Sequence, residues 1–432
     1  MSTVEEIPAT VARLRETFRT GTTKSLDWRL TQLRGLRAML TEQADEFAAA
    51  LHSDLGKSRA EVDRTELGFV VNEIDHTLAH LAGWLEPQPA AVPDSLPGAS
   101  AWTVYDPLGV VLVIAPWNYP VQLLMAPLAG ALASGNCAVV KPSELAPATS
   151  AAIAKHLPGY VQGVAVVEGA IPETTALLEQ RFDHIFYTGN GVVGRIVMTA
   201  AAKHLTPVAL ELGGKSPVFV DGDVDPTEVA KRIVAGKFLN AGQTCVAPDY
   251  VLTDPATARA LEQALPQALR DLFGEDPATS TEYGRIVNHR HFDRLTGLLG
   301  AGRTVVGGQH DRDSKYIAPT VLAGVRAEDP VMAEEIFGPI LPIVEVADLD
   351  AAIEFITGRG KPLALYAFTK SDRTRERLQQ ETSSGALSFE LTVSHLRVSD
   401  LPFGGVGESG MGRYHGLYSI ETFSHRKAVL RG

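Results

Sequence analysis

The chain is poor in cysteine: Cys137 and Cys245 are the only two among 432 residues. Two thiols far apart cannot build a disulfide framework, which excludes a small secreted disulfide scaffold and fits a reducing cytoplasm. A long apolar run is also missing. The most continuous one, Val110-Val111-Leu112-Val113-Ile114-Ala115, is far shorter than the roughly 20 residues of a membrane-spanning helix. It reads instead as a strand buried on both faces. Residues 1–8 are acidic and carry no apolar stretch, so neither a signal peptide nor a membrane anchor is expected. Positive charge is short as well, with 39 Lys and Arg against 51 Asp and Glu and a formal net charge of -12. Such a balance disfavours a nucleic-acid surface. There is no internal repeat and no low-complexity segment.

What is there suits a globular α/β protein. Hydrophobic residues make up 45% and charged residues 21%, ordinary values for a soluble fold, and the length predicts two or three domains. Residues 10–85 carry Leu and Phe at three- and four-residue steps and read as helical. A Pro-rich break at 87–98 precedes a strand at 101–105. From 110 to 212, strands at 110–114, 138–140, 164–167 and 184–187 alternate with helices at 122–134, 149–156 and 192–203. A second alternating block runs from 216 to about 388, with a helix over 226–239. Alternation of this kind implies parallel sheets, so two α/β lobes with a cleft between them are expected.

Chemistry-bearing residues fall at the ends of these strands, where α/β folds place ligand contacts. Ala115-Pro116-Trp117-Asn118-Tyr119-Pro120 offers in Asn118 a fixed amide donor suited to an oxyanion; a plain two-proline turn is the alternative. Lys141-Pro142-Ser143-Glu144 sets a cation and a carboxylate one turn apart, able to hold ribose hydroxyls, or else forms a solvated surface pair. Gly189-x-Gly191-x-x-Gly194, between a strand and a helix, matches the dinucleotide fingerprint. The acid that should then bind ribose is Glu211, whose setting before Gly213-Gly214 suits an acting group better, so the triple glycine is read as partly coincidental. Cys245, in Asn240-Ala241-Gly242-Gln243-Thr244-Cys245, lies among small and polar residues. Glu334-Glu335-Ile336-Phe337-Gly338-Pro339 and the glycine-rich segment at 401–410 read as cavity-lining loops or as ordinary turns. A thiol, a fixed amide and a carboxylate together specify covalent catalysis at a carbonyl. A cysteine hydrolase would need a histidine base, for which His415 is the nearest candidate.

These motifs, taken with Tyr414-His415-Gly416 and Thr422-Phe423-Ser424-His425, resemble the aldehyde dehydrogenases, most closely the class 3 branch acting on fatty and aromatic aldehydes. The resemblance covers about residues 30–426. It implies an aldehyde dehydrogenase-like fold: a cofactor-binding domain at 1–85 and 106–210, a catalytic domain at 211–388, and oligomerisation or bridging segments at 86–105 and 389–432. It implies NAD(P)+-dependent oxidation of an aldehyde, with Cys245 as nucleophile, Asn118 and the Cys245 N–H as oxyanion donors, and Glu211 as the base that activates water. Lys141 and Glu144 would hold the adenosine ribose, Glu335 the nicotinamide ribose, and Trp117, Thr188, Gly189, Gly194 and Phe337 would line the cofactor. NAD is favoured by Glu144, with NADP possible through Lys141; no metal is expected. Tyr119, Ala235 and His415 are assigned to the aldehyde pocket. Ala235 stands where many class 3 members have Trp, and 389–393 lacks their Asn-Asp pair, so both bear on substrate choice. A homodimer is implied, with the strand near 101–105 pairing at an exposed sheet edge. The rivals are an acylating relative that passes its thioester to coenzyme A, a silent binding protein on the same fold, and a cysteine esterase.

Overall fold

The computed structural model describes residues 3–432. The apolar run becomes the strand Val110–Ile114, buried at every residue, in the middle of a six-stranded sheet. Its order is Gly410–Met411, Val208–Glu211, His184–Thr188, Val110–Ile114, Cys137–Lys141, Val164–Val166. Neighbours run parallel except at one edge, where Gly410–Met411 lies antiparallel to Val208–Glu211. The period-2 alternation of strand side chains splits the apolar run between two cores. Val111 and Val113 join the main core, while Val110, Leu112 and Ile114 pack with Ile7, Val11 and Leu14 of the N-terminal helix Ile7–Arg19. Cys137 belongs to the second core, fully buried, and burial alone pushes its thiol up to about 12; it is a structural residue.

A second, seven-stranded sheet runs Arg303–Val306, Thr320–Ala323, Ile340–Glu345, Tyr250–Thr253, Pro217–Val220, Ala364–Phe368, Ala386–Phe389. It too is parallel except at one edge, Arg303–Val306. Both lobes thus take the expected form with an antiparallel strand added at one side, a common finish for open α/β sheets. A separate three-stranded antiparallel sheet joins Gln88–Ala90, Ser100–Pro107 and Ser424–Arg431.

Two expectations change. Ser100–Pro107 is the middle strand, flanked on both sides, so it does not offer the free edge foreseen near 101–105; that edge belongs to Ser424–Arg431. The helix read over 226–239 stops at Lys237, because Asn240, Ala241 and Gly242 turn left-handed, with φ of 50°, 51° and 76°. Helical periodicity carries no sign of that reversal.

Candidate active site

The left-handed turn is what brings the thiol into the cleft. Asn and Gly tolerate this conformation, whereas Ala241 there costs on the order of 1–3 kcal/mol and persists only if its surroundings over-determine it. They do. Asn240 Nδ2 donates to the Asn118 carbonyl at 2.8 Å and to the Gln243 carbonyl at 3.2 Å. The Gln243 amide donates to the Asn240 and Arg285 carbonyls and accepts from the Val287 N–H, each at 3.0 Å. Gly242 passes so close to Gly338 that a Cβ would stand 2.2 Å from its carbonyl oxygen. Cys245 emerges as the one residue from 240 to 250 that is not fully buried. Its own N–H and that of Val246 face Sγ, yet burial, with Glu335 and then Glu211 nearby, pushes the thiol up to about 12.

Asn118 follows Val110–Ile114 and is buried. Its Nδ2 donates to the Gln243 carbonyl at 3.1 Å, which ties it to the nucleophile's loop and leaves a second N–H; Oδ1 has no partner. Behind it lies a buried charge pair. Lys57 Nζ donates to Glu66 Oε1 at 2.6 Å and to the Asn118 carbonyl at 2.8 Å, and sits 3.8 Å from the Tyr119 ring centroid. Glu66 Oε2 accepts from the N–H groups of Val121 and Gln122. The Tyr119 hydroxyl meets Thr244 Oγ1 at 2.7 Å, another link between the two loops.

Glu211 ends the strand Val208–Glu211 with its carboxyl buried and neither oxygen partnered. Burial holds it well above the usual carboxylate range, as a base for water requires. Asn118, Glu211 and Cys245 are drawn together: Asn118 and Cys245 share the Gln243 link, and Glu211 is felt electrostatically at the thiol. Tyr414, felt by both Glu211 and Cys245, and Tyr366, whose hydroxyl donates to the Val246 carbonyl at 2.6 Å, complete the walls.

Of the residues read as cofactor contacts, Trp117, Lys141, Glu144, Thr188 and Gly189 follow or end strands of the six-stranded sheet, while Glu335 and Phe337 precede Ile340–Glu345 of the seven-stranded one. Lys141 Nζ meets Glu144 Oε2 at 3.0 Å, the lysine buried and the glutamate half-exposed. Thr188 is buried with Oγ1 unpartnered. Glu335 lies over Gly213, where a Cβ would be 2.0 Å from Oε2, and burial pushes it up to about 8. Phe337, at φ 49°, meets Trp117 edge-on with ring centroids 5.5 Å apart. An unpartnered Thr188 hydroxyl and the carboxyl groups of Glu144 and Glu335 beside flat rings fit a dinucleotide with two ribose diols and a nicotinamide. The triple glycine has another use. Asn190 Oδ1 caps the Val193 N–H at 3.0 Å, and Gly194 lets the helix Gly191–Ala202 approach Leu212, 3.1 Å from where a Cβ would be. Gly189 donates its N–H to the Glu211 carbonyl at 2.9 Å.

Ala235 is exposed on its helix, while the next residue, Gly236, packs on Thr392. His415 is buried, stacked on Phe403 at 5.5 Å, and burial takes its imidazole down to about 3. A neutral ring that resists protonation cannot serve as the base of a Cys–His hydrolase. Sequence reading missed Lys57, Glu66, Tyr366 and Lys237. No local pattern marks the first two, nine residues apart, as a pair.

The aldehyde dehydrogenase family model matches residues 1–429. The chain is 48% identical over 429 residues to the dimeric NADP-preferring aldehyde dehydrogenase of Rattus norvegicus, covering 99% of this chain and 95% of that one. It is 50% identical over 425 residues to aldehyde dehydrogenase family 3 member B1 of Homo sapiens, covering 98% and 90%. The substrate-bound structure of Staphylococcus aureus AldH superposes with a TM-score of 0.97 at 42% identity, covering 100% of this chain and 94% of that one. With the site geometry, these matches show that the chain belongs to the aldehyde dehydrogenase family, in its class 3-like branch.

Proposed function

We propose that the family reaction, NAD(P)+-dependent oxidation of an aldehyde to its carboxylate, runs here through Cys245. Sγ attacks the aldehyde carbon as the thiol proton passes to solvent water. The resulting thiohemiacetal oxyanion accepts hydrogen bonds from Asn118 Nδ2 and the Cys245 N–H. Bound NAD(P)+ supplies the acceptor for the hydride whose loss leaves a thioester on Sγ. Glu211 takes a proton from water as the water attacks that thioester, releasing the carboxylate and restoring the thiol. The observation that carries this reading is a buried, unpartnered Glu211 beside the one accessible residue of the Cys245 loop. It also disfavours the coenzyme A-acylating rival, which has no use for a water-activating base, and the silent rival, which has no use for the three groups together.

Lys141 and Glu144 hold the adenosine ribose and Glu335 the nicotinamide ribose, with Trp117, Thr188, Gly189, Gly194 and Phe337 along the cofactor. Glu144 favours NAD; Lys141 and the likeness to an NADP-preferring relative support NADP as well. The rings around Tyr119 and His415, including Phe69 and Phe403, suit an apolar medium- or long-chain or aromatic aldehyde, with Ala235 at the pocket's outer end. The three sheets support a division into domains at 1–85 with 106–210 and at 211–388, with bridging segments at 86–105 and 389–432, of which Gly410–Met411 adds a strand to the first lobe's sheet. The unpaired edge of Ser424–Arg431 and a relative described as dimeric support a homodimer. Among the described residues no helix is long and apolar enough to cross a membrane, and the cysteine usage supports a cytoplasmic setting. The test is reduction of NAD+ or NADP+ followed by absorbance across aliphatic and aromatic aldehydes, with and without coenzyme A. No reduction with any aldehyde overturns the reading.

A further inference from the structure

Three adjacent parallel strands of the seven-stranded sheet, Pro217–Val220, Tyr250–Thr253 and Ile340–Glu345, begin at the same end of it. The residues just ahead of them are therefore neighbours. Lys215 stands there four positions after Glu211, Asp249 stands four positions after Cys245, and the loop 331–337 carries Glu335 and Phe337. The Lys215 and Asp249 side chains are 11% and 4% exposed and form an ion pair, Nζ to Oδ2 at 2.6 Å. Both partners also reach the loop. Lys215 Nζ gives its other two hydrogens to the Val331 carbonyl at 2.9 Å and the Glu334 carbonyl at 2.8 Å. Asp249 Oδ1 accepts from the Ile336 N–H at 3.0 Å. Glu335 is thus held between two anchored neighbours. Phe337 follows in a left-handed conformation, φ 49°, which a bulky residue adopts only where its surroundings impose it. The mechanism above gives neither Lys215 nor Asp249 a part.

We propose that Lys215 and Asp249 are positioning residues for the nicotinamide end of the cofactor: their ion pair staples the 331–337 loop to the segments that bear Glu211 and Cys245, and so sets Glu335 and Phe337 in place against the base and the nucleophile. The inference rests on the cofactor roles given to Glu335 and Phe337 above. A lysine suits the junction because one ammonium can serve a carboxylate and two carbonyls in different directions at once. Stability alone does not call for such a pair, since two apolar residues of similar volume often serve as well. What apolar residues would not supply is the three hydrogen bonds to loop backbone on either side of Glu335.

The test is the affinity for NADH and NADPH by fluorescence titration, the tighter of the two being followed, beside that for ADP, which lacks the nicotinamide ribose. Thermal midpoints are measured alongside. Lys215→Met strands Asp249 and lowers the midpoint; Lys215→Met combined with Asp249→Leu removes both charges and restores much of it. Both proteins are expected to bind the reduced cofactor about tenfold more weakly, the scale of one misplaced charge-assisted hydrogen bond, while ADP binding stays as it was. Asp249→Asn, which keeps one of the two acceptors, gives a smaller loss with the same selectivity. If cofactor affinity recovers with the midpoint in the double variant, the pair serves stability alone and the proposal is overturned. Unchanged affinity, or an equal loss for ADP, overturns it as well. Should the proteins carrying Lys215→Met fail to fold, Asp249→Asn decides: unchanged affinity or an equal loss for ADP there sinks the proposal. If Glu335→Ala leaves reduced-cofactor binding intact, the ribose reading falls and the proposal with it; if Glu335→Ala weakens it and Lys215→Met does not, only the proposal falls.

Discussion

The wall behind the nucleophile and the surface that faces it follow opposite rules. Behind Asn118, Lys57, Glu66 and Gln243 spend their donors and acceptors on one another and on backbone, and Asn240 does so through Nδ2, with only its Oδ1 left unpartnered. Across the cleft, Glu211, Thr188 Oγ1 and Asn118 Oδ1 are buried with no partner at all. The satisfied wall fixes where atoms are; the unsatisfied lining keeps energy available for substrate, cofactor and transition state.

The severest way to break this contrast is at the thiol. Cys245→Ala should abolish both the first-turnover burst and steady-state turnover while leaving the thermal midpoint near that of the unmutated protein, measured by stopped-flow absorbance and calorimetry. A substantial residual burst would place the nucleophile elsewhere. Next comes the wall. Lys57→Met breaks a buried ion pair and leaves Glu66 Oε1 unpartnered, which should cost about 3–5 kcal/mol in a denaturant melt and lower kcat as the Asn118 carbonyl loses one of its two anchors.

Glu211→Gln sharpens the comparison from the other side. It should keep the burst and lose steady state; equal loss of both would contradict a role in deacylation. Its stability should hold or rise at neutral pH. A carboxyl whose folded pKa is raised gives stability that is complete below its unfolded pKa and declines as pH climbs toward the folded one, so at pH 7 the glutamate is a liability that glutamine lacks. The same shift predicts that deacylation in the unmutated protein speeds up as pH rises above neutral, with a flat profile counting against Glu211. Smallest is the cap: Asn190→Ala should cost about 1 kcal/mol of stability. If it also abolished cofactor affinity, the glycine turn would have to be read as a pyrophosphate site after all.

Asn118, Glu211 and Cys245 stand out as candidates in the sequence because each follows a recognisable strand or glycine-rich run, and α/β folds gather such places at one end of a sheet. Lys57, Glu66 and Lys237 were not. A lysine in a charged stretch reads as solvated, and its burial depends on residues far along the chain, as with Lys57 and Asn118, 61 positions apart, or Lys237 in the neighbourhood of Glu335. The reversal at Asn240–Gly242 stayed hidden for a related reason: only tertiary hydrogen bonds hold Ala241 there. The edge near 101–105 was misjudged because the strand that covers it, Ser424–Arg431, lies far along the chain and pairs with it only in the fold.

The short strand Gly410–Met411 has a consequence for synthesis. Glu211 pairs across the sheet with Gly410, and the Leu212 N–H donates to the Ser409 carbonyl at 3.0 Å. The ribosome makes those partners on the order of two hundred residues after Glu211 itself, a delay of roughly ten seconds or more at about 5–20 residues per second. During that interval the strand bearing Glu211 has an open edge and the thiol lacks its finished surroundings. With the roles proposed for Cys245 and Glu211, productive turnover of an aldehyde waits until residues 409–411 have been made and have closed that edge.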